Sequence, residues 1–274
     1  MAAFRYVVAD VFTDTPLAGN QLAVFTDARE LPEDALQPLA REMNLSETVF
    51  VYPAEGDGHV RIRIFTPSTE LPFAGHPVLG SAFVLAGPLQ LEEIRLETGS
   101  GTVPVQLERE GPQIVFGWMQ QPYPEVKPVS EEVEVLAAVG AERSAVPVEL
   151  YELGPRFVYV GLNSEREVAE LAPDFQALRR FQFGVSCFAG SGDRWKTRMF
   201  APAFGVAEDP ATGSAAGPLC LHLVRHGLVE PGAEIRIAQG AEVGRPSLLH
   251  ARADDGRVEV GGAAVIVARG EFRL

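Results

Sequence analysis

One motif occurs twice in this chain. RIRIFTPSTELPFAGHPVLGSA, starting at Arg61, returns in reduced form as KTRMFAPAFGVAEDPATGSAAG, starting at Lys196. Arg63, Phe65 and Pro67 answer to Arg198, Phe200 and Pro202, and the glycines Gly75 and Gly80 answer to Gly213 and Gly217. The copies carry different polar groups: Glu70 and His76 in the first, Glu208, Asp209, Thr212 and Ser214 in the second. A doubled framework with unlike polar groups at matching places predicts a site between two related halves, each supplying part of the chemistry.

The correspondence extends beyond the motif. QLAVF (21–25) precedes the helical pattern LPEDALQPLAREMN, as RFVYV (156–160) precedes SEREVAELAPDFQALRRF, and each motif is followed by a related strand, IRLETG from Ile94 and IRIAQG from Ile235. Halves of about 130–150 residues fit ordinary domain sizes. The proline- and charge-rich stretch QPYPEVKPVSEEVEV (121–135) separates them. The expected division is therefore 1–127 and 128–274, with the last strand free to cross back to the first half.

Alternation of charged and apolar residues in HVRIRIF and RWKTRMF predicts strands exposed on one face. The region 71–91 lacks charge and is long enough to suggest a membrane span, but Pro72, Pro77 and Pro88 break it. Its middle reads instead as a helix apolar all round, hence buried, and PATGSAAGPLCLHLV from Pro210 is its counterpart. Mixed helices are expected near residues 31–44 and 164–181. The predicted class is α+β, with two similar halves. Each is a curved, largely antiparallel, barrel-like sheet around a central apolar helix.

At 46% hydrophobic and 22% charged residues, the chain has apolar sequence for a core in each half. A net charge of −14 opposes a phosphate-tracking surface, so nucleic acid is not an expected partner, and neither is a membrane. Cys187 and Cys220 are the only cysteines and lack metal-ligand spacing, and there is no secretory leader pattern, so a reducing cytoplasm is expected. No dinucleotide or phosphate-loop fingerprint is present, and no cofactor is expected.

Chemistry is expected where the central helices begin. A helix start offers unpaired N–H groups and a partial positive charge, and glycine lets a ligand approach the backbone. Ala74-Gly75-His76 and Thr212-Gly213-Ser214 would then hold one small carboxylate. Asp209 before Pro210 also reads as a plain helix N-cap, and His76 as a structural histidine before Pro77. Glu47, in NLSETVFV, is either part of a solvated turn or an inward carboxylate whose raised pKa suits a general base. Glu70 and Glu208 compete for that role, and pattern alone does not rank the three.

These residues resemble the PhzF-like phenazine-biosynthesis family, within the diaminopimelate-epimerase fold superfamily. The resemblance is carried by DVFTDTPLAGNQLAVF from Asp10, NLSETVFV from Asn44, ELPFAGHPVLGSA from Glu70, FAPAFGVAEDPATGSAAGPL from Phe200 and QGAEVGRPS from Gln239, in family order over nearly the whole chain. It implies Glu47 as the acid/base. It also implies that His76 and Asp209 bind substrate and position protons, with Gly75, Gly213 and Ser214 as carboxylate binders, and it implies a homodimer. Two departures are Gln21, where proline is common, and Val78, where threonine is common.

Epimerases of that superfamily use two facing thiols. Ala74 stands at the first such position and Asp209 near the second, so that pair is absent here. The expected function is a cofactor-independent isomerase moving a proton on a small carboxylate. The alternatives are an inactive binding or regulatory protein of the same fold and, with less support, a metal-dependent hydrolase, for which no HExxH-like spacing exists.

Overall fold

The computed structural model describes residues 2–274, which form a mixed α+β fold with a large sheet and few helices. The chain divides into two compact units, residues 1–120 with 261–274, and residues 121–260. The second unit opens at the start of the proline-rich stretch, and the chain returns to the first at Gly261.

In the first unit, β1 (Ala3–Val11) pairs antiparallel with β2 (Asn20–Phe25), and α1 (Glu33–Met43) leads to β3 (Glu47–Pro53), which lies parallel to β2. Next come β4 (Val60–Phe65), antiparallel to β3, and β5 (Glu70–Leu71), antiparallel to β4. The helix α2 (Gly75–Leu89) follows, then β6 (Glu93–Thr98) parallel to β4, β7 (Gly101–Glu110) antiparallel to β6, and β8 (Gln113–Gln121) antiparallel to β7.

The second unit begins with β9 (Glu125–Pro128), α3 (Glu132–Val139) and β10 (Glu149–Glu152), then β11 (Arg156–Gly161), α4 (Glu165–Glu170), α5 (Phe175–Leu178) and β12 (Gly184–Ser191). It continues with β13 (Arg194–Ala201), β14 (Val206–Asp209), α6 (Gly213–Arg225), β15 (Ile235–Gln239), β16 (Ser247–Asp254) and β17 (Arg257–Gly262). The last strand, β18 (Ala264–Arg273), pairs antiparallel with β1.

The pairing order recurs. As β3 is parallel to β2, β12 is parallel to β11; as β4 joins β3, β5 and β6, β13 joins β12, β14 and β15. Each motif strand also runs into its apolar helix. Eleven of the 15 residues of α2 are buried and 11 of the 13 of α6. A helix with no charged residue has no face to turn to water, and α2 packs on β1, β2, β3, β6, β7 and β18. Burial of side chains such as Val78, Leu79 and Phe83 stabilises the unit by about 1.5–3 kcal/mol each.

Close approach depends on two glycines. A Cβ on Gly80 would stand 2.6 Å from Leu22 and 2.7 Å from Val11, and one on Gly217 would collide with Gln121 and Val258.

Two expectations fail. A helix across residues 164–181 is broken into α4 and α5, because Pro173 disfavours helical backbone at Ala172 and Asp174 caps a new start, accepting from the N–H groups of Gln176 and Ala177. The strand RWKTRMF is not exposed on one face: Arg198 is buried, its Nη1 donating to the carbonyls of Val168, Ala169 and Leu171 at the end of α4. Packing of α4 over β13 covers a face that alternation assigns to solvent. Among the described residues, no helix is long and apolar enough to cross a membrane.

Candidate functional site

In the first unit, three chain segments deliver polar groups to the start of α2. Glu47 is the first residue of β3, where the pairing of Glu47 with Leu22 fixes its register beside β2. His76 lies in the first turn of α2, and Asn20 opens β2. Glu47 Oε2 lies 3.1 Å from His76 Nε2, with the Glu47 side chain 15% exposed and that of His76 4%. Asn20 Nδ2 is 3.4 Å from His76 Nδ1, on the other side of the ring. Burial lowers the His76 pKa to about 3, so the ring is neutral near pH 7 and its 3.1 Å approach to Glu47 is a close polar contact, not an ion pair.

The turn before β2 is built to place Asn20. Asp10, buried in β1, accepts a hydrogen bond from the Leu17 N–H at 2.7 Å, and Leu17 adopts a left-handed backbone at φ 69°.

Ala74 precedes α2 and supplies no side-chain cap, so the first-turn N–H groups of this helix lack the usual intramolecular acceptor. This leaves Gly75 and His76 at a helix start suited to an anion.

In the second unit, α6 begins at Gly213, with Thr212 as its N-cap residue. Asp209 is the last residue of β14, so the reading of Asp209 as the cap, with Pro210 as the first helical residue, is incorrect. Asp209 Oδ2 instead accepts from Thr212 Oγ1 at 2.5 Å, which diverts the Thr212 hydroxyl from capping the helix. Gln239, buried at the end of β15, holds the arrangement: its Nε2 donates to the Asp209 carbonyl at 2.7 Å and to Thr212 Oγ1 at 3.1 Å, and its Oε1 accepts from the Thr212 N–H. Gln121 donates to the Gly213 carbonyl at 2.9 Å and Tyr159 to the Ala215 carbonyl at 2.7 Å. Ser214 is buried in the first turn, and the second helix start is also without a side-chain cap.

The competing carboxylates are accounted for. Glu70 takes a two-pronged ion pair from Arg63, Nε to Oε1 at 2.7 Å and Nη2 to Oε2 at 2.8 Å. Glu208 takes the same pair from Arg198 at 2.9 and 2.8 Å. A carboxylate clamped by a guanidinium is a poor proton acceptor, which counts against Glu70 and Glu208 as the base. The thiols are also unsuitable: burial raises both, Cys220 to about 12, and keeps them as inert core groups. Among the described residues of the first unit, no third His, Cys, Asp or Glu joins Glu47 and His76 in a metal-sized cluster.

The roles of Asn20, Gln121 and Gln239 are absent from the sequence reading. Asn20 and Gln239 lie inside motif blocks, which was the available signal, but their partners are distant in sequence.

Comparison with known proteins adds the following. The family model described as phenazine biosynthesis-like protein, PhzC-PhzF, matches residues 9–270. A trans-2,3-dihydro-3-hydroxyanthranilate isomerase of Pseudomonas aeruginosa is 50% identical, the alignment covering 98% of this chain and 99% of that protein. A solved structure of a predicted epimerase from the same species superposes with a TM-score of 0.85 at 31% identity, covering 99% of both chains. A Bacillus anthracis phenazine biosynthesis protein of the PhzF family gives a TM-score of 0.86 at 22% identity over the whole of both chains, a likeness of fold.

Proposed function

The chain belongs to the phenazine biosynthesis-like (PhzC-PhzF) family and is a PhzF-like isomerase, and from this premise we propose that it moves a proton on a small cyclic carboxylate of the trans-2,3-dihydro-3-hydroxyanthranilate type, without a cofactor. The observation that carries the reading is the 3.1 Å contact between Glu47 and the neutral, buried His76 at an uncapped helix start. Glu47 removes a proton from the activated carbon and returns it at another position of the conjugated system. Acid–base help of this kind is worth about 10²–10⁴-fold. His76 and Asp209 act as the further catalytic residues that orient substrate and protons, and Gly75, Gly213 and Ser214 bind the substrate carboxylate through backbone N–H and hydroxyl groups. The isomerase relatives give no support to the alternative of an inactive binding protein.

The same reading takes each unit as a barrel-like half around its central helix and the pair as an internal duplication, supported by the shared strand-pairing order. A homodimer, on the family resemblance, and a cytoplasmic location, on the cysteine usage, complete it.

The test is NMR in deuterated buffer with trans-2,3-dihydro-3-hydroxyanthranilate and a panel of cyclic and amino carboxylates. Wild-type protein is expected to place deuterium on a substrate carbon, and Glu47→Gln to bind without exchange. Full exchange by Glu47→Gln would reject Glu47 as the base, and saturable binding without exchange by wild type would reject the assigned reaction.

A further inference from the structure

The C-terminal end of α6 carries a cluster that the isomerase chemistry does not use. In HLVRH, His222 and His226 are four residues apart, so they share one helix face, and β10 brings Glu149 against them. Glu149 Oε2 lies 3.3 Å from His222 Nδ1 and 3.0 Å from His226 Nε2. One ligand atom from each of the three residues lies within 4.8 Å of the others. The Tyr151 hydroxyl closes the inner side, 3.0 Å from Glu149 Oε2 and 3.1 Å from His222 Nδ1.

We propose that Glu149, His222 and His226 form a binding site for a divalent transition-metal cation of the zinc type, which pins the end of α6 to β10 and takes no part in isomerisation. The donor set, two imidazole nitrogens and one carboxylate oxygen, is the set zinc accepts. Tetrahedral coordination at bonds of about 2.0–2.1 Å places ligand atoms about 3.3–3.4 Å apart, close to the two distances from Glu149 Oε2. Arg225 pairs with the other carboxylate oxygen, Oε1, at 3.2 Å, which orients Glu149 and leaves Oε2 turned to the histidines. The end of a helix carries partial negative charge, which favours a cation. His222 and Tyr151 are fully buried, whereas His226 and Glu149 are partly exposed and provide the entry path for the ion and a water ligand.

Cobalt(II) titration of metal-stripped, full-length protein tests the proposal, because tetrahedral Co(II) gives strong visible bands that surface binding does not. One equivalent is expected to produce them, zinc to displace them, and zinc to raise the thermal midpoint. His226→Ala, at a partly exposed position, is expected to weaken binding by more than the roughly 10–100-fold that loss of an outer-shell partner costs. Glu149→Gln keeps the shape of the side chain and is expected to weaken binding likewise, which guards against a His226→Ala fold defect. Absence of the bands in wild type, or bands unchanged in both variants, overturns the proposal. Solvent exchange into substrate is expected to be equal with and without zinc, and loss of exchange on stripping would overturn the purely structural role.

Discussion

The two helix starts use the same backbone device with different side chains. At α2, alanine precedes the helix and a carboxyl–imidazole pair, Glu47 and His76, stands over the first turn. At α6, Thr212 precedes the helix, but its hydroxyl is turned to Asp209 and Gln239 braces both. Each start is left without a side-chain cap. The first holds a group able to move a proton, while the second is a rigid hydrogen-bonded frame around Gly213 and Ser214. The difference lies in a few side chains on one strand–loop–helix pattern, and under the proposed function it would give one start the base and the other the anion-holding frame.

The arginine clamps differ by burial and give the largest expected contrast in stability. Arg198 and Glu208 have side chains 8% exposed each, whereas Arg63 and Glu70 are 20% and 43% exposed. Removing one partner of a buried pair costs about 3–5 kcal/mol, and of an exposed pair about 1 kcal/mol or less. Urea unfolding of Glu208→Gln and Glu70→Gln is expected to show that order. Equal losses would mean that burial does not separate the two clamps.

The helix–sheet contacts are expected to respond alike. Gly80→Ala and Gly217→Ala each force a methyl group into occupied space and should each destabilise by about 1–3 kcal/mol. A neutral effect at either position, measured by chemical unfolding, would show that its helix has room to shift.

The first start carries a buried histidine, His76, which should add pH dependence in the acid range. The folded pKa of His76, about 3, lies below its unfolded value of 6.5. Above pH 6.5 the ring is neutral in both states and adds nothing. As pH falls from 6.5 toward 3, the unfolded chain binds a proton that the folded chain refuses, and stability falls by up to about 1.4 kcal/mol per pH unit from this group. Unfolding at pH 7, 6 and 5 should give wild type a steeper slope than His76→Gln, and identical slopes would contradict the buried neutral ring.

Much of this was legible in the sequence, for physical reasons that can be named. The largely apolar helices α2 and α6 and their glycine starts follow from local composition, and α1 spans nearly the segment its mixed pattern predicts. The burial of Arg198 was hidden because α4, from distant sequence, covers the strand. Asp209 fits the local pattern of a cap, but β14 continues through it and the helix begins later, at Gly213. Asn20 and Gln239 act through contacts that no local pattern encodes, whereas the break before Asp174 has a local cause in Pro173.

Steady-state kinetics of Glu47→Gln beside Ser214→Ala tests the division of labour most directly. Glu47→Gln is expected to lower kcat by about 10²–10⁴-fold with KM nearly unchanged. Ser214→Ala should raise KM about 10-fold, the worth of one hydrogen bond to a charged group, and keep kcat. If Ser214→Ala instead lowers kcat as far as Glu47→Gln does, or Glu47→Gln turns over normally, the two helix starts do not divide the work in this way.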